Sequence, residues 1–141
     1  MKIERFEDIQ AWQEARVLAN LIYDVTDKDA FAKDYGLKNQ VREAAGSVMH
    51  NIAEGFDVGS DNEFIPFLKY ARRSASEVQS EAHLALDRHY LTSEQFRTIH
   101  AHATMNKKLI NAFSAYSSPR SQETKRLVDH TTIRPPDHQT K

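Results

Sequence analysis

Glu43, Ser47, His50 and Glu54 recur at steps of three and four, so on a helix they form one row, with His50 and Glu54 spaced to share a divalent ion. A specific site wants a third or fourth ligand and an outer shell of hydrogen bonds, and the Glu-x-x-His pairs of di-iron bundles are absent, so no metal is expected. His100 and His102 are two residues apart. That spacing turns them to different sides of a helix, and they are expected to be exposed rather than ligating. The G-x-x-x-x-G-K-[ST], G-x-S-x-G and H-E-x-x-H patterns are missing, which removes the common phosphate-cradling, nucleophile and zinc-protease signatures. With no cysteine, a disulfide scaffold, a thiol nucleophile and a thiolate zinc site are excluded. The expectation is a non-enzymatic protein without cofactor or small-molecule substrate.

A second constellation suits binding. Lys69, Arg72, Arg73, Ser76, Gln79, Ser80 and His83 share a broad acid-free helix face, with Glu77 and Glu81 displaced to one flank. Lysine and arginine on such a strip can engage phosphates as point charges and guanidinium forks. Equally, they can be solvated or paired with acids on neighbouring helices. Tyr70 falls off that face, so no stacking platform for bases is expected. A net charge of −1 supplies no bulk attraction to nucleic acid. Glu54 sits in the last turn of its helix, against the negative end of the macrodipole, which costs a few tenths of a kcal/mol unless compensated. A structural ion pair with Arg72 or Arg73, or a bond to loop backbone, is the expected compensation. Asn51, at the edge of an apolar face, is expected to be a buried, hydrogen-bonded residue that fixes helix register.

Four helices must carry these groups. The first is expected over Glu7 to Val25, with Ile9, Trp12, Ala15, Ala19, Ile22 and Tyr23 on one side and Val17, Leu18, Leu21 and Val25 as a second stripe. A helix apolar on two sides is buried more than a surface helix, so the second stripe either widens the core stripe or faces a neighbouring subunit. The second runs from Gly36 to Gly55, GLKNQVREAAGSVMHNIAEG, where Leu37, Val41, Ala44, Ala45, Val48 and Ile52 keep helical spacing and Gly55 is the expected terminator. Small residues make this helix thin, although Gly46 costs about 1 kcal/mol of propensity, for which a partner helix or subunit would compensate.

Ser60 and Glu63 have capping-box spacing, and the third helix follows. Phe64, Leu68, Ala71, Ala75, Val78, Ala82 and Ala85 alternate steps of four and three, the clearest seam in the chain. Pro66 predicts either a later cap at Asp61 or Asn62 or bent first turns. Arg88 to Leu91 forms a corner. Thr92 and Gln95 repeat the capping box, with Leu91 and Phe96 as a hydrophobic staple. The fourth helix is expected from Ser93 to Tyr116, with Phe96, Ile99, Met105, Leu109, Ala112, Phe113 and Tyr116 available for the core.

Three of the four prolines fall in the polar stretch 117–141, which is expected to be a disordered tail behind one domain at 1–116. Short connections make the fold an all-α, antiparallel, up-down-up-down four-helix bundle. Nothing approaches a signal peptide or the roughly 20 apolar residues of a membrane span, so a soluble, cytoplasmic protein is expected. The leading reading is homo-oligomerisation through Val17, Leu18, Leu21 and Val25 and through the thin face around Gly46. The partner would be a protein or nucleic-acid complex. The alternative is nucleic-acid binding through Lys69, Arg72 and Arg73.

NQVREAAGSVMHNIAEG followed by NEFIPFLKYARRSASEVQSEAHLAL resembles the small bacterial four-helix bundle proteins encoded in intervening sequences of 23S ribosomal RNA genes. That family also includes the accessory variability protein of diversity-generating retroelements, and FEDIQAWQEA is similar to the family's opening. The resemblance spans Phe6 to Tyr116 and implies a ring-like homopentamer. It also implies, through the strongly basic retroelement relative, binding to nucleic acid and a reverse transcriptase. This chain lacks that basic charge, and Ile65–Pro66 departs from the family pattern.

Overall fold

The computed structural model describes residues 3–117. A 3-10 turn at Phe6–Asp8 leads into α1 (Gln10–Thr26), then a single-turn α2 (Asp29–Lys33), α3 (Tyr35–Asp57), α4 (Asp61–Asp87) and α5 (Ser93–Ser117), with no strand among the described residues. The stretch expected to form a tail lies outside them beyond Ser117. The start of α1 is later than its apolar pattern suggests because the Asp8 carboxylate accepts the backbone N–H groups of Glu4 and Arg5 at 3.2 and 3.3 Å and holds Phe6–Asp8 as a separate turn.

Caps set the other boundaries. The Asp34 carboxylate accepts the Leu37 N–H at 3.1 Å and opens α3, while the Tyr90 hydroxyl donates to its second oxygen at 2.9 Å. Phe31 of α2 stacks on the Tyr90 ring, centroids 5.1 Å apart, so the short helix is fastened to the α4–α5 corner. Ser60 caps α4 by accepting the Glu63 N–H, and the Ser60 hydroxyl donates a hydrogen bond to the Glu63 carboxylate at 2.9 Å. The cap therefore stays at Ser60, and α4 runs on through Pro66. Both bonds of the Thr92–Gln95 capping box are present, at 2.9 and 3.0 Å. At the end of α4 the Tyr90 N–H reaches the Ala85 carbonyl and the His89 N–H the Leu86 carbonyl, a Schellman closure with His89 at φ 63°, where glycine is usual.

Contacts that climb along one helix descend along the next: Gly55 lies against Phe64, Arg72 reaches Asn111 and Glu14 meets His102. Ser47 touches Ser74 across α3 and α4, Gln79 touches Thr104 across α4 and α5, and Ala11 touches Asn106 across α1 and α5. These neighbours are antiparallel, and α1 closes the cycle by packing on both α3 and α5. All seven seam residues of α4 are buried. They are shared between two apolar clusters: Val78, Ala82 and Ala85 join Leu18, Ile22, Phe31 and Val41, while Phe64, Leu68, Ala71 and Ala75 join Ile9, Ile52 and Ile110.

Several expected positions change. In α5 the buried line is Ile99, Ala103, Asn106 and Ile110, while Met105 is 47% exposed and Ala112 is exposed. A polar residue occupies a seam position there, so an apolar pattern misses it. The Tyr116 side chain lies outside the described residues. Leu18 is fully buried within one copy, alongside Ala15 and Ile22, and so leaves the second stripe of α1. Tyr23, expected inside, is 48% exposed. Gly55 does not end α3, which continues to Asp57. Its role is close approach: a Cβ there would stand 2.5 Å from Phe64 Cδ1 and 2.7 Å from Phe67 Cβ.

Candidate functional site

The row on α3 borders an open groove of about 590 Å³, walled by Tyr23 and Arg42 and floored by Gly46, with Glu43, His50 and Glu54 along it. Arg42 is a strut between helices. Its Nε donates to Thr26 Oγ1 at 2.8 Å, its guanidinium lies 4.3 Å from the Tyr23 ring centre, and Asp27 is 3.9 Å away. At Gly46 a Cβ would meet only the His50 ring, at the ordinary contact distance of 3.6 Å. Nothing within one copy requires this glycine. No three His, Asp or Glu side chains among the described residues gather closely enough to hold a metal.

Asn51 is half-buried, and its Nδ2 donates to the Ser47 carbonyl and hydroxyl, both at 2.9 Å. Those bonds stay within α3. The link to α4 is the next one, in which Ser74 Oγ donates to Ser47 Oγ at 2.9 Å. The role expected of Asn51 falls to Asn106, fully buried, whose Nδ2 donates to the Ala11 carbonyl at 3.1 Å and whose Oδ1 has no partner among the described residues. Moving α5 along α1 would strand that donor among alkyl groups, the way a lone core amide fixes alignment in coiled coils.

Glu54 is exposed and unpaired with Arg72 or Arg73, contrary to the ion pair expected from the dipole argument. Both arginines point elsewhere: Arg72 donates to Asn111 Oδ1 on α5 at 3.2 Å, and Arg73 lies 4.9 Å over the Tyr70 ring. Lys69, Arg72 and Arg73 are all exposed, but the strip is split between a flank leaning on α5 and a flank covering Tyr70. Tyr70 thus joins the strip that its helical position seemed to exclude it from. On α5, Lys107 Nζ donates to Ser76 Oγ at 3.1 Å and adds a cation beside Arg72.

The opposite flank of α4 is acidic. Burial, then the charges of Glu77 and Glu43, push the Glu81 carboxyl from 4.5 up to about 7, and its buried Oε1 lacks a hydrogen-bond partner. His102 is not free on the surface. It makes a half-buried contact with the Glu14 carboxylate that ties α5 to α1. His100 is half-buried as well, against Phe96 and His83. The His102–Glu14 contact joins residues 88 positions apart, and no local pattern announces it.

The outer side of α1 carries a second groove, about 480 Å³, lined by Trp12, Arg16, Val17, Asn20, Leu21 and Asp24. Val17 is 45% exposed and Leu21 partly so, while Val25 packs against the core edge. Of the α1 stripe expected at an interface, Val17 and Leu21 remain on the outside.

The sequence pattern of the family described as "23S rRNA-intervening sequence protein" matches residues 7–112, covering α1 to α4 and most of α5. The chain belongs to that family. No curated protein matches it. Among solved structures, this 23S rRNA-intervening sequence protein is similar to the crystal structure of a protein of unknown function from the S23 ribosomal protein family of Bacteroides thetaiotaomicron VPI-5482. That likeness has a TM-score of 0.68 at 23% identity and covers 74% of this chain and 97% of the other. It shows a shared helical fold. No helix among the described residues is long and apolar enough to cross a membrane.

Proposed function

We propose that this protein is a non-enzymatic cytoplasmic scaffold or adaptor that assembles with copies of itself through the outer groove of α1 and the thin face of α3. The observation that carries the reading is the uncovered apolar floor at Val17 and Leu21, on the side of α1 turned away from the buried Ala15, Leu18 and Ile22. The open position at Gly46 supports it, because a mid-helix glycine costs about 1 kcal/mol and no contact within one copy accounts for it. The number five rests on the family resemblance. Light scattering coupled to size exclusion tests the assembly: a monomer at micromolar concentration overturns it. Leu21→Glu should weaken assembly by more than it lowers monomer stability, since Leu21 is only partly buried.

The second reading, nucleic-acid binding through Lys69, Arg72 and Arg73, draws on the added cation at Lys107 and on α5 having Glu94 as its one acid. It requires affinity that falls with salt at a slope of about −0.7 to −0.9 per phosphate neutralised and drops on changing the three residues to glutamate. Binding that ignores both excludes the strip.

A further inference from the structure

The outer strip of α1 and the groove on α3 match each other as knobs match holes. On α1, Val17 and Leu21 stand four residues apart, about 6 Å along the axis, with Val17 exposed and Leu21 partly so. Asn20 beside them is folded back, its Nδ2 donating to the Arg16 carbonyl at 2.9 Å, so the two apolar side chains are what the strip offers. On α3, Glu43, Gly46, Ser47 and His50 have the i, i+3, i+4, i+7 spacing of a hole that takes one side chain from a facing helix. Ser47, His50, Asn51 and Glu54 form the next hole, again about 6 Å along. The first is hollowed by the missing side chain at Gly46, where the space is open up to His50. Covering the floor strands few polar groups: the Asn51 amide nitrogen already donates to the Ser47 carbonyl and hydroxyl, and Ser74 donates to the same hydroxyl.

Charge sets the direction. Arg16, Asp24 and Glu54 are exposed and make no ion pair among the described residues. Arg16 lies toward the N-terminal end of the α1 strip and Asp24 at its C-terminal end, whereas the groove has Arg42 toward its N-terminal end and Glu54 at its C-terminal end. Laid parallel, the strip would set Asp24 against Glu54; laid antiparallel, it brings Arg16 to Glu54 and Asp24 to the Arg42 end. On the basis of the self-assembly proposed above, we infer that the outer face of α1 in one copy seats antiparallel in the α3 groove of a second copy, Val17 and Leu21 in its holes and Arg16 on Glu54. Two α3 grooves set face to face would instead oppose carboxylate with carboxylate, so the contact joins unlike faces. Within one copy Thr26 of α1 bonds Arg42 while Ile9 shares a cluster with Ile52, so α1 and α3 already run in opposite senses. Rotation about an axis along the bundle keeps that sense, and the contact can repeat from copy to copy.

The test follows assembly of the intact chain by light scattering and sedimentation, with circular dichroism checking that every variant is helical. Leu21→Glu blocks one face and Gly46→Gln the other, so each variant alone should be monomeric. An equimolar mixture of the two should form a one-to-one dimer, because one intact α1 face and one intact α3 groove remain. Arg16→Glu and Glu54→Arg should each weaken assembly by about tenfold, and the two changes in one chain should recover most of that loss. Single variants that still dimerise, with no mixed dimer, mean that like faces pair, which overturns the unlike-face contact and leaves self-assembly standing. Failure of the charge exchange to recover assembly overturns the antiparallel seating. A parent chain that stays monomeric at micromolar concentration removes self-assembly and this contact together.

Discussion

Gly46 and Gly55 lie on the same helix, yet an added methyl group should act on them with opposite sign. At position 46 it meets only the flexible edge of His50 at 3.6 Å, so Gly46→Ala collects the helix-propensity difference of about 0.8–1 kcal/mol in favour of the fold. At position 55 the same methyl meets Phe64 Cδ1 at 2.5 Å, Phe67 Cβ at 2.7 Å and Phe64 Cε1 at 2.8 Å. Overpacking costs about 1–3 kcal/mol, and because Phe67 Cβ moves only with its backbone the upper part of that range, about 2–3 kcal/mol, applies here; after the propensity gain Gly55→Ala should be destabilised by about 1–2 kcal/mol. The two variants then differ by about 2–3 kcal/mol, roughly 6–10 °C in thermal midpoint for a chain of this size. Urea unfolding with unchanged m-values measures it. A Gly55→Ala protein as stable as the parent refutes the close-approach argument, and a Gly46→Ala protein destabilised at low protein concentration refutes the claim that this position is open. Repeating the Gly46 measurement at high concentration separates fold from assembly, because a gain that vanishes there places a second copy against α3.

Glu81 supplies a pH dependence. Its carboxyl ionises near 7 in the folded chain, against 4.5 ordinarily, chiefly through burial. The folded state therefore binds the extra proton between those values, and the contribution of Glu81 to stability is full below about pH 4.5 and lost as pH rises through 7. Glu81→Gln should exceed the parent by about 1–2 kcal/mol at pH 8, a figure reduced for a partly solvated side chain, and match it near pH 4.5; an equal difference at both pH values contradicts the assignment. A double-mutant cycle of Glu14→Gln and His102→Gln should give a coupling of about 0.5–1.5 kcal/mol at neutral pH, and no coupling would make the α1–α5 contact energetically silent.

The skeleton was legible because apolar periodicity and caps are local. The α4 seam, the Ser60 and Thr92 caps and the staple at Leu91 all follow from residues within a turn or two of one another. What escaped depended on the third dimension. Asn106 reads as a break in the α5 stripe until Ala11 is seen opposite it, and Gly55 reads as a stop signal until the rings of α4 are placed against it. Leu18 and Val17 are neighbours in sequence with opposite fates, because which side of α1 faces inward is decided by the helices flanking it. The arginines of α4 were given to Glu54 on grounds of charge, whereas Asn111 and Tyr70 lay nearer their guanidinium groups. Charge alone names no partner for a long side chain.

Pro66 has no N–H to offer the Asn62 carbonyl, so the hydrogen-bonded ladder of α4 is interrupted one turn and a half after it begins. Residues ahead of the gap keep the Ser60 cap and the buried Phe64, with one backbone bond fewer to the helix behind them. This corner can therefore fray as a separate unit, exchanging its amides with solvent and presenting cleavable backbone while the remainder of α4 stays closed.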